Sequence, residues 1–284
     1  MFLKQIKFIL ILILFYQTPL FSKSNSFEKI DSKNLSKYFS GIVAFGNKKN
    51  SEALKFFDSS KILINKHDPY LKRYLSSLVL ENKVSQAINI VRQNKDKGNT
   101  QFFDVYLLLI LDSLKKNELD SAYKYTLEAF NFSGQDRFNL AILESLKQYV
   151  YLFKEKKFLD KKKNFGKLSI ISETFQRCYL KDQNTENYFL NLINDPESDF
   201  TRYIYFYVSF LIENNELLKA KKITDDLEFI NATLLLSQGK SWVENKDFDK
   251  FNKVFSCRNH NDLIAEFLFL ISNLFSSQDN FEMS

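Results

Sequence analysis

A chain of 284 residues with 45% apolar side chains is long enough for a sizeable core or a row of stacked units, and too apolar to stay disordered. Six glycines and three prolines are too few for an all-β chain, which needs turn residues about every 8 to 12 positions, so the helix-length apolar runs predict an all-α fold. The formal charge of +6 falls to +3 without Lys4, Lys7 and Lys23, and the cations are 34 Lys scattered with only 6 Arg, which argues against a nucleic-acid reader with its clustered, Arg-rich face.

Residues 1–24 read as a cleaved export signal. Lys4 and Lys7 precede an unbroken apolar run over 8–16, Pro19 breaks it, and small residues follow for cleavage after Ser22 or Ser24. Nine apolar residues fall short of the roughly 20 that span a bilayer. The expected location is periplasmic or secreted, with an inner-membrane anchor through an uncleaved signal as the alternative and as the sole membrane contact. A polar linker over 25–34 follows.

The next residues set the pattern. Gly41 and Ala44 stand where two helices must approach closely, a polar turn runs from Asn47 to Asn50, and Ser51 opens a helix in which Ala53 and Phe57 share a face. Helices are expected over 35–45 and 51–64, then 69–80 and 85–94, then 101–114 and 120–130. Ala87 follows Ala53 by 34 residues and Ala122 follows Ala87 by 35. Pro69 suits a first helical turn. Segments of about 12 residues are marginal alone, so each relies on its neighbours.

The run Gly41, Ala44, Ala53-x3-Phe57, with Tyr106-x2-Leu109 and Ala122, resembles the tetratricopeptide repeat, a helix-turn-helix unit of 34 residues. Val91 and Thr126 replace that family's aromatic, and Pro69 falls late. The resemblance covers 35–133 and 201–284 and implies an all-α, right-handed α-solenoid of stacked antiparallel helix pairs. Between them, 134–200 reads as degenerate helical repeats, with helices over 136–158, 165–180 and 186–193. The β-formers of 202–211 are assigned to a helix because Asn214 to Ala220 repeats the turn and small residue. Helices over 235–244, 248–255 and 262–276 complete the array. The last unit reads as incomplete, which would leave Phe267, Leu270, Ile271 and Leu274 partly bare.

No phosphate loop, dinucleotide, zincin or hydrolase motif is present, and no metal, cofactor or catalytic set is expected. Cys257-x2-His260 is half a zinc site at most, and His67 stands apart from it. Cys178 and Cys257, 79 residues apart, read as small buried side chains, with pairing in an oxidising compartment left open. Asp225-Asp226 reads as a solvated helix face. The seven lysines over 154–167 read as a solvated connection.

A stacked solenoid leaves the first helices of its units lining a concave surface. The expected peptide-binding positions there are Tyr38, Ile42, Lys72, Ser76, Leu107, Leu111, Tyr205, Ser209 and Lys240, with Leu236 beside them. Tyr38 and Tyr205 are the expected anchors, Lys72 and Lys240 the steering charges. The expected function is an exported scaffold that binds another protein or peptide and is not itself an enzyme. The alternatives are a helical-repeat domain of a larger cell-envelope enzyme and a membrane-anchored assembly factor; no oligomeric state follows.

Overall fold

The computed structural model describes residues 31–94, 101–134, 136–195, 201–226 and 234–277, and the expected signal lies outside them. Among the described residues the regular elements are helical, with fourteen α-helices and no strand. No helix among them is long and apolar enough to cross a membrane. The chain divides into two compact units, Met1–Asn82 and Lys83–Ser284.

In the first unit, α1 (Ser32–Gly46), α2 (Asn50–Asp58) and α3 (Asp68–Leu80) surround a ring cluster. Asp31 caps α1 by accepting from the Lys33 amide. Pro69 sits in the first turn of α3, where its missing N–H costs nothing. Tyr38, Phe57, Tyr70 and Tyr74 are buried; the Tyr38 centroid lies 5.9 Å from Phe57 and 5.7 Å from Tyr70. Two of their polar ends have partners. The Tyr70 hydroxyl donates to the Phe57 carbonyl, and the Tyr74 hydroxyl donates to Asp58 over 2.8 Å.

One turn recurs along the chain. Lys48, Asn82, Asn117, Asn215 and Lys246 have left-handed backbone, a conformation Asn tolerates better than most residues. At four of these turns the next amide reaches back five residues: Lys49 to Ala44, Glu118 to Ser113, Glu216 to Leu211 and Asp247 to Trp242, at 2.8–2.9 Å. That bond satisfies an orphan carbonyl and stops the helix. Five residues after the left-handed position stand Ala53, Ala87, Ala122 and Ala220, each fully buried, and then Phe251. The expected small residues therefore do lie in the packed interior.

The second unit holds α4 (Val84–Asn94), α5 (Phe103–Lys115), α6 (Leu119–Ala129), α7 (Arg137–Glu155), α8 (Lys167–Leu180), α9 (Thr185–Ile193), α10 (Thr201–Glu213), α11 (Leu217–Asp225), α12 (Leu234–Glu244), α13 (Asp249–Val254) and α14 (His260–Ser277). Sequence neighbours pack: α5 on α6, α6 on α7, α8 on α9, α10 on α11. The β-formers of α10 are helical, because tertiary packing overrides propensity. Lys181 repeats the left-handed turn 34 residues before Asn215, whereas the continuous α7 fills the place where a turn midway between Asn117 and Lys181 would fall.

The expectation of neighbour-to-neighbour order up to the C-terminal residues is corrected by α14. It packs back on α7 and α8, with Phe267 against Tyr149 at 5.7 Å and His260 against Phe153 at 5.6 Å. Phe267 and Ile271 are consequently buried and Leu270 half-buried, so of the side chains expected to be bare only Leu274 is exposed. Cys178 at the end of α8 and Cys257 before α14 form a disulfide, their Cα atoms 5.8 Å apart. The pairing left open above is the arrangement found.

Candidate protein-binding groove

An α1 face is fixed by Gly41, which must meet α2. A Cβ there would lie 2.6 Å from Cε1 of Phe57, so the face carrying Gly41 turns inward, and Tyr38, one helical turn earlier, goes with it. The opposite stripe is Leu35, Phe39 and Val43, spaced by four. It remains open, with Phe39 53% and Val43 64% exposed.

Between these large side chains stand Ser36 and Ser40, and Phe56 of α2 supplies the far wall, enclosing a groove of about 710 Å³. Lys49 and Glu52 at its rim pair at 3.6 Å, so the rim carries no net charge. An exposed apolar floor between small residues with a charge-balanced rim marks a candidate interaction surface.

The expected binding residues do not form one open surface. Tyr38 is 2% exposed within its ring cluster, and Tyr205 is 0% exposed, its ring stacked on Phe251 at 5.3 Å. Both anchors belong to the core because each faces a glycine crossing or its neighbour: a Cβ on Gly239 would stand 3.0 Å from the Tyr205 ring. Ser209 and Leu236 are buried as well. Ile42, Ser76, Leu107, Leu111 and Lys240 are half-buried, while Lys72 is exposed. They are divided between the two units. Sequence reading missed Leu35, Phe39 and Val43, although their spacing by four, with serines between, was legible.

The lysine-rich connection is occupied within the chain. Lys154 pairs with Asp120 at 3.0 Å, Lys163 with Glu144 at 2.9 Å and Lys167 with Asp195 at 3.4 Å, and Lys156 donates to the Tyr179 hydroxyl. Burial holds the Lys162 ammonium below its ordinary range. Cys257 is spent in the disulfide, and among the described residues no three His, Cys, Asp or Glu side chains gather as metal ligands. No protein-family model matches the chain, and no match was found among curated proteins or solved structures.

A second apolar recess of about 330 Å³ lies in the larger unit, between Phe206, Leu235, Val254, Phe255 and Phe269. Its floor is an ion pair, Arg202 to Glu266, with bonds of 2.6 and 3.0 Å. Arg202 also lies over the Phe269 ring at 4.2 Å and the Phe206 ring at 5.3 Å, so the guanidinium is engaged by rings as well as by the carboxylate.

Proposed function

We propose that this chain is an exported helical-repeat binding protein, a right-handed solenoid similar to tetratricopeptide arrays, that takes an amphipathic helix of a partner protein in the α1–α2 groove. The carrying observation is the open stripe of Phe39 and Val43 above a groove whose rim is charge-neutral. The 15 residues of α1 span about 22 Å, enough for four turns of a docked helix reading the same spacing. Catalysis is no part of this reading.

Export is supported by the Cys178–Cys257 bond, because such bonds persist in oxidising compartments and are rare where thiols are kept reduced. The concave-face version of the proposal loses its two tyrosine anchors to the core, and the groove takes their place. The test is capture of a partner from envelope extract by the tagged mature chain, compared with a Phe39→Glu/Val43→Glu variant. Both positions are exposed, so circular dichroism should be unchanged while capture falls at least about tenfold, as expected for loss of central apolar anchors. Undiminished capture by the variant would overturn the groove as the site.

A further inference from the structure

We propose that α14 is an oxidation-set latch: formation of the Cys178–Cys257 bond holds it closed over α7 and α8, and a chain without the bond leaves it open. The inference is independent of the groove. It starts from topology, since five helices separate α8 from α14 in sequence, yet α14 lies on α7 and α8. Nothing in the local turn grammar directs it there. The covalent bond stands three residues before the first turn of α14, at the point where the chain returns.

The non-covalent grip is mixed. Phe267, Leu263 and Ile271 bury apolar surface, but Glu266 on the same helix goes from water to 4% side-chain exposure against Arg202. The desolvation of such a pair offsets much of its attraction. Beside the bond, Arg258 donates to the Cys178 carbonyl and lies 3.6 Å from Glu213, and His260 Nε2 lies 3.3 Å from the Leu114 carbonyl oxygen. These groups can exchange protein partners for water when α14 leaves. The covalent bond is the tie for which water offers no substitute.

Closing is a two-electron exchange with a disulfide-bearing oxidant. The Cys257 thiolate attacks one sulfur of the oxidant and expels its other sulfur as a thiolate, giving a mixed disulfide. The Cys178 thiolate then attacks Cys257 Sγ and expels the second oxidant thiolate. Two electrons pass from the cysteine pair to the oxidant, and the two cysteine protons end on its thiols. Once made, the bond is shielded, because Cys178 is fully buried and Cys257 nearly so, and exchange requires access to a sulfur.

Hydrogen exchange by mass spectrometry tests this on the full mature chain in three forms: oxidised, unfolded and refolded in dithiothreitol, and Cys257→Ala. The latch requires the α14 amides to exchange about tenfold faster or more in both bond-free forms, with α6 and α11, which do not hold α14, unchanged, as for opening of one sub-global unit. Equal α14 protection in all three would overturn it, as would uniform loss across the larger unit, which would make the bond a global staple. Thiol trapping adds a second readout: the folded oxidised chain should resist dithiothreitol that reduces it in urea. Two free thiols in chain purified from an oxidising compartment would also overturn the proposal.

Discussion

Gly41 and Phe57 meet so closely that the glycine position has no room for a methyl group: its Cβ would stand 2.6 Å from Cε1 and 2.8 Å from Cδ1 of the ring. Phe57 is fully buried and held by Tyr38 and Tyr70, so it cannot swing away. Gly41→Ala should therefore cost about 1–3 kcal/mol by overpacking. In a double-mutant cycle with Phe57→Leu, the cost of the alanine should shrink, because the smaller side chain gives way. Chemical denaturation of the four proteins checks both; a neutral Gly41→Ala would contradict the crossing.

Arg202 and Glu266 form the second test. Glu266 is buried and Arg202 partly so, and removal of the arginine strands a carboxylate away from water. Arg202→Met is expected to lose about 3–5 kcal/mol, whereas Arg202→Met/Glu266→Leu should recover most of it. Equal losses in the single and double variants would show that the carboxylate is reached by solvent.

Acid sensitivity should trace to Glu186. The Lys219 ammonium donates to both of its oxygens, at 2.9 and 3.2 Å, and the Tyr207 hydroxyl donates at 3.1 Å, holding this carboxyl below its ordinary value of 4.5. A carboxyl depressed in the folded state contributes stability that is present above its unfolded value and is lost as pH falls through the folded one. The melting temperature should drop over that acid window, and Lys219→Ala should flatten part of the drop. A pH profile unchanged by the substitution would remove Glu186 from the explanation.

Alkali should act through the tyrosines. Burial pushes Tyr70, Tyr149, Tyr203 and Tyr205 well above the ordinary 10.0. Groups raised in this way leave stability intact below pH 10 and remove it as pH rises beyond, because the unfolded chain can ionise where the folded one cannot. Tyrosinate absorbance should rise in two stages, exposed rings first and buried rings together with loss of helix. A single gradual rise while helicity persists would place these rings in contact with solvent.

The helix pairs were legible because two local signals coincide, an Asn or Lys able to take left-handed backbone and a small residue five positions later. The signal fades at Lys181, where Glu186 occupies the small-residue position, and vanishes inside α7, which has no turn. Which aromatic of α1 is exposed was not legible: Tyr38 and Phe39 are neighbours, and only the contact of Gly41 with Phe57 decides that Tyr38 faces inward and Phe39 outward. A step of one residue rotates a helix by about 100°, enough to exchange core for surface. The return of α14 was beyond such signals, since periodicity tells a helix which face to bury and not which distant helix will cover it.

The bond between Cys178 and Cys257 also decides how the chain bears tension. If the molecule is pulled by its ends, force crosses from one sulfur to the other, and the helices from α9 to α13 hang in a side loop that carries no load. The 79-residue separation withheld in that loop amounts to about 260–280 Å of extended chain. A stretched molecule would therefore come to its full length short by that amount.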